Sequence, residues 1–268
     1  MRRVFAEIGP PLAGIIGVMV VWAVAATVTN TAAIPAPAAV WSAFVDGMRD
    51  GSIPEAAVRT LVRLAFSFVV AVALGVALGL GLALNEFARR AIRPLVVALQ
   101  ITPFVAWVPL AVIWFGVTER AVVFVAIVGS FPAMTLATLQ AIRQVPPLYE
   151  RAGRTLGANG WSLYRAVIFP AALPGVMGGL QQAWGFAWKA LMAGELIVAT
   201  AGTAGLGHLL DTRGNDVAAL LATLGVIVVL GVAADYLLFG QLDRRIRGRR
   251  GLLPDAGPTA ARTGRSVS

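Results

Sequence analysis

Six predominantly apolar stretches of about 20 residues run through the chain, at about residues 8–26, 64–84, 96–115, 121–139, 176–199 and 218–239. A helix rises about 1.5 Å per residue, so each is long enough to cross the roughly 30 Å hydrocarbon core of a bilayer. Lipid offers no partner to a backbone N–H or C=O, and such a run must therefore satisfy its own hydrogen bonds as a helix. The fold class expected is an all-α integral membrane protein with six transmembrane helices. Composition agrees: 58% of the 268 residues are hydrophobic and 13% charged, well outside soluble usage. Pro103 and Pro109 interrupt the third stretch, which reads as a kinked helix facing other helices, where neighbours can satisfy the carbonyls that proline frees.

The 22 Lys+Arg against 13 Asp+Glu include a single lysine, Lys189. If the N-terminus is cytoplasmic, the segments on the inner side hold 16 arginines and those on the outer side 5, Arg49, Arg59, Arg63, Arg120 and Arg213. That asymmetry orients both termini inward. The positive surplus is thus a topology signal and a contact with anionic lipid, not a nucleic-acid surface. The chain has no cysteine and one histidine, His208, which excludes disulfides, thiol catalysis and any two-histidine metal site.

Arg2 and Arg3 before the first span, and the small residues Ala36 and Ala38, resemble parts of a signal peptide. The apolar run is longer than a signal peptide uses and Pro37 sits at the would-be cleavage site, so an uncleaved anchor is expected. The domains read as an anchor and outer segment over 1–63, a transmembrane core over 64–239, and a basic, largely disordered tail over 240–268. Within the outer segment Val40, Trp41, Phe44 and Val45 fall on one helical face, which either lies on the membrane interface or packs on the bundle.

The inner connection between spans four and five, 141–175, is far longer than a connector requires. Residues 149–156 form helix, Gly157 to Gly160 stop it, 161–169 resume it, and Pro170 and Pro174 break it again before span five. With no histidine, no cysteine and one carboxylate, this two-helix knob suits docking better than catalysis.

The knob carries the spacing Ala152-Gly153-x-x-x-Gly157, then Val167-x-Phe169-Pro170. It resembles the EAA loop of the permeases of binding-protein-dependent ABC importers. Val108-Pro109-Leu110, Trp114-Phe115-Gly116, Phe131-Pro132, Ala193-Gly194-Glu195-Leu196 and Gly205-Leu206-Gly207-His208-Leu209 extend the likeness to the branch that imports sulfonates, taurine, nitrate and related solutes. One departure stands out: the family's usual glutamate aligns with Arg151, and Glu150 lies one residue early. The resemblance implies a coupling surface at Glu150, Arg151, Ala152, Gly153, Gly157, Val167, Phe169 and Pro170. It also implies a cytoplasmic ABC ATPase that binds ATP and Mg, a periplasmic or lipid-anchored solute-binding protein, a second permease copy and an inner-membrane location. The chain itself lacks the glycine-rich P-loop with its lysine, since Lys189 follows Trp188 inside a span. No catalytic residue, resident cofactor or metal ligand is expected.

Span five supplies the candidates for the translocation path: Gln181, Gln182, Trp184, Trp188, Lys189 and Glu195. Gly178, Gln182, Gly185 and Lys189 form one small and polar face, suited to close helix contact; Gln181, Trp184, Trp188, Met192 and Glu195 form a neighbouring face, suited to lining a passage. A charge at membrane depth costs about 2.5 to 3.5 kcal/mol on insertion scales, so Lys189 and Glu195 must face protein or water. Lys189 either attracts an anionic solute, pairs with a carboxylate such as Asp235, or snorkels. Glu195 reads as a structural or gating hydrogen-bond site. Gln100, Thr102 and Gln140 read as capping or bridging groups, and His208 as an exposed loop residue. A stand-alone secondary transporter is the alternative, but it would show internal repeats or more spans and would not need the knob. A membrane enzyme would gather several acid, base or metal groups.

Overall fold

The computed structural model describes residues 2–29, 31, 33–198 and 204–240. The basic tail expected over 240–268 lies outside the described residues from 241 onward. The chain is helical throughout its described elements: α1 (Arg2–Thr29), α2 (Pro37–Arg49), α3 (Ser52–Leu84), α4 (Glu86–Ile101), α5 (Trp107–Phe115), α6 (Glu119–Arg143), α7 (Pro147–Thr155), α8 (Gly160–Leu163), α9 (Phe169–Ile197), α10 (Leu206–Thr212) and α11 (Val217–Ala234). Among the described residues four helices are long and apolar enough to cross a membrane, and five if the bent pair α4 and α5 is one span. In α1 the apolar part is Ile16–Thr29.

The centre of the bundle is α6, held between α3 and α9. Small residues set these approaches. An added Cβ at Gly75 would meet Met134 at 2.6 Å, at Gly79 the Thr135 carbonyl at 2.6 Å, and at Gly179 the Ala137 Cβ at 2.3 Å. In lipid, where apolar surface gains little by helix association, such close backbone contact is what holds helices together.

Three expectations need correction. Residues 96–115 are not one kinked helix: α4 and α5 meet at 94°. Thr102 precedes Pro103, and the proline ring pushes it out of the helical region, to φ −62°, ψ 125°. Pro109, by contrast, sits in the first turn of α5, where the missing N–H has no helical partner to lose.

The helix that carries the second apolar stretch also begins well before residue 64. Helix α3 starts at Ser52, after Gly51 in the left-handed conformation. Glu55, Arg59 and Arg63 lower the local hydropathy without lowering helix propensity, so the apolar pattern marks the membrane-suited part and not the helix. Finally, Pro170 and Pro174 do not separate the knob from span five. From Gly160 to Ile197 the chain is one continuous helical path, with a wide π turn at Tyr164–Ile168 just before the prolines. Local π geometry re-satisfies backbone groups that proline would strand.

Candidate functional site

At one end of the bundle, α7 and α8 form the knob. Helix α7 ends in a Schellman turn: Ala158 N–H donates to the Gly153 carbonyl and Gly157 N–H to the Arg154 carbonyl, both at 3.0 Å. Gly157 takes φ +87°, a conformation that side chains disfavour, with open space around it. Asn159 and Ser162 then start α8 with a capping box. Gly153 is the seam, since a Cβ there would meet Leu163 at 2.6 Å and Val167 at 3.1 Å. Around the turn, Leu148, Tyr149, Leu156 and Trp161 are exposed, Leu156 by 88%. Glu150 is tied to its own helix by Arg154 at 2.8 Å, while Arg151 and Ala152 face outward. Val167 packs inward against the knob's core, whereas Phe169 is half-buried and Pro170 exposed.

At the opposite end lies a buried polar cluster that the sequence reading did not assemble. Glu195 has no solvent exposure, and its carboxylate accepts from the Thr60 hydroxyl at 2.9–3.0 Å, from Arg63 Nη1 at 3.0 Å and from Gly207 N–H at 3.1 Å. Thr60 in turn accepts from Leu206 N–H at 2.9 Å, and Arg63 Nη2 reaches Glu119 at 2.5 Å. The cluster ties α3, α6, α9 and α10 together. It also explains Gly205-x-Gly207: a Cβ at 205 would lie 2.3 Å from both Glu195 oxygens, and one at 207 would lie 2.6 Å from the Glu195 Cβ. Glu195, expected to be a structural or gating hydrogen-bond site, bonds partners 132 and 135 residues away in the sequence. Arg63, assigned above to an outer segment, is part of this buried pair and 6% exposed.

The packing of α9 differs from the expectation, since side chains of the face expected to line a passage pack within the chain. Trp184 is 7% exposed and meets Phe68 edge-on at 5.1 Å; Trp188 lies against Gly231 of α11; Gln181 donates to both Asp235 oxygens at 3.1 Å. These side chains hold the chain together. The residues that pack on α6 are Gly175, Gly179, Ala183, Ala187 and Ala190, so Gly178, Gln182 and Lys189, one residue around, are left outward. Lys189 does not pair with Asp235: it is exposed and makes no hydrogen bond or ion pair among the described residues.

Gln182 opens into a cleft of about 260 Å³ between α4, α6 and α9, where Gln100, Gln140 and Gln144 join it over a floor of Ala133, Ala137 and Gly179. Gln140 and Gln144 also line an adjoining cleft with Arg89, Arg93 and Arg143 at the knob end. Thr102 caps the end of α4 by bonding Ala98. His208 is half-buried, and its Nδ1 has no hydrogen-bond partner among the described residues. Among those residues no three potential metal ligands come together.

Residues 71–248 match the family described as binding-protein-dependent transport system inner membrane component. A probable ABC transporter permease of Brucella melitensis is 31% identical over 82% of this chain and 89% of its own length. The taurine transport system permease of Escherichia coli is 28% identical over 70% and 67%, and the riboflavin transport system permease of Chloroflexus aurantiacus 32% over 84% of each. In fold the chain resembles a chain of the MetNI methionine ABC transporter, solved in inward-facing conformations, with TM-score 0.59, 19% identity, and 70% of this chain and 93% of that one covered.

Proposed function

The chain belongs to the inner membrane components of binding-protein-dependent transport systems, as an ABC importer permease, and from that premise we propose how its two ends divide the work of transport. The knob is the docking surface for a separate cytoplasmic ATPase, which binds ATP and Mg, and its movement tilts the helices through the continuous path from Gly160 into α9. The observation that carries this is the knob itself: exposed apolar side chains set rigidly around a left-handed glycine, at the tip of a span. Apolar groups held outward in a fixed turn suit a protein partner.

In this reading α1 and the α4–α5 pair each cross the membrane, making six spans with both termini and the knob cytoplasmic. Taking Arg63 out of the outer loops sharpens the arginine asymmetry that supports this. A solute-binding protein delivers at the α10 end, and a second copy faces the outward residues of α9, completing a passage beside Gln182 and Lys189. An ammonium with no ion-pair partner among the described residues favours a small anion there, such as a sulfonate, nitrate or bicarbonate, and disfavours cations. The test is co-purification with the ATPase in detergent. Gly157→Asp should leave membrane insertion intact and sharply reduce both ATPase recovery and uptake; normal values for both remove the knob from the mechanism.

A further inference from the structure

We propose that the cleft along α4 and α6 is a binding site for a small oxyanion at the knob end of the permease. The inference rests on the permease reading only for its direction, the cytoplasmic side. Gln100, Gln140, Gln144 and Gln182 come from three helices yet converge on one space. The mouth adds Arg93 and Arg143, neither of which has a carboxylate partner among the described residues. No Asp or Glu lines either part.

Each carboxamide brings two N–H donors and each guanidinium five; Arg89 also lines the mouth, and its partner Glu86 lies outside the lining. The donor set is that of a sulfonate, sulfate, carboxylate or phosphate group, for which charge-assisted hydrogen bonds are the strong ones. The floor of alanine and glycine leaves room without adding polarity. At about 260 Å³ the space is just below the roughly 300–1,000 Å³ typical of ligand pockets, which selects a small solute. From Gln182 the outward face of α9 continues to Lys189, seven residues or about 10 Å along the helix, so donors span the distance between two cationic ends. Four glutamines placed for helix capping alone would not share one cavity.

Two sources offer this chemistry, a free solute and the phosphate of an anionic lipid. Full-length permease in phosphatidylcholine nanodiscs is unfolded thermally while sodium sulfate replaces sodium chloride at constant ionic strength. A ligand that binds the folded state raises the midpoint as its concentration passes Kd. Sulfate should give a saturable rise, with apparent Kd weakened at least ten-fold in Gln140→Glu, which keeps the side chain's shape and sets a carboxylate where the two clefts meet. If that variant does not fold, Gln140→Leu and Arg143→Gln must show the same weakening.

A second arm uses discs containing phosphatidylglycerol. If a headgroup fills the site, this lipid raises the midpoint, sulfate adds nothing further, and the Gln140 variants lose the lipid effect; that outcome also supports the site. No rise with either probe, or a rise that survives in all three variants, overturns it. The ATPase is absent from this measurement, so losing sulfate binding with docking intact removes the cleft alone, and losing docking with sulfate binding intact removes the coupling reading alone.

Discussion

Around the knob, Leu148, Leu156 and Trp161 point away from the chain and a glycine turn keeps them there, whereas around α10 a carboxylate with no exposure is held by a hydroxyl, a guanidinium and a backbone amide. Both regions depend on glycines, for different physical reasons. Gly157 supplies a backbone conformation in open space; Gly205 and Gly207 supply room for Glu195 in a conformation any residue adopts or nearly so. The difference separates an exposed apolar surface, the one proposed to dock the ATPase, from a buried joint that ties four helices together.

The largest expected effect breaks the joint. Removing one partner of a buried ion pair costs about 3–5 kcal/mol, because the other is left uncompensated. Arg63→Met should cost most, since it strands Glu195; Glu195→Leu should cost less, because Arg63 keeps Glu119. The double variant should recover part of the loss, read as the midpoint of denaturant unfolding. Wild-type stability in both single variants would show that the cluster does not hold the helices.

Alanine scanning of the glycines sharpens the contrast. At Gly205 the new methyl must displace the Glu195 carboxylate, and at Gly207 it meets the Glu195 Cβ at 2.6 Å and the Met192 carbonyl at 2.9 Å, so the backbone must shift; both fall in the range of about 1–3 kcal/mol for overpacking. At Gly157 it meets nothing and pays only the left-handed strain of about 1–2 kcal/mol. Unfolding midpoints should therefore rank the outer variants below Gly157→Ala, while ATPase recovery ranks them in the opposite order. Identical rankings in both assays would erase the distinction between joint and docking surface.

The smallest effect on stability is expected at Lys189. Lys189→Met removes an exposed charge that has no partner among the described residues, so unfolding should change by no more than about 0.5 kcal/mol, with ATPase binding retained and uptake of an anionic solute several-fold slower. Unchanged uptake counts against a role in passage. A loss of folded protein counts against the exposed position that the structure gives this residue.

The knob was readable because its determinants are local: Gly153, Gly157, Val167 and Phe169 lie within 17 residues, and turn chemistry is written in consecutive positions. The break between α4 and α5 was half legible. Pro103 announces a disturbance, but whether a helix kinks or turns through 94° depends on what receives α5, here α6. The choice left open for Lys189 and the misplaced packing face of α9 share one cause. Helical periodicity sorts residues into faces without saying which face meets the bundle, and a rotation of one residue, about 100°, moves a side chain from packing to exposure.

By itself, then, the sequence determined that the chain is a helical membrane protein, with a glycine-turned two-helix loop and the motifs of an importer permease, because apolar run length and turn residues act over short separations. Only the tertiary structure decided that Thr60, Arg63, Glu119, Glu195 and the amides of Leu206 and Gly207 form one cluster, and that four glutamines share one cleft. A buried polar group must find its partner wherever the fold brings one, and here that is more than 100 residues along the chain for Thr60, Arg63 and Glu195.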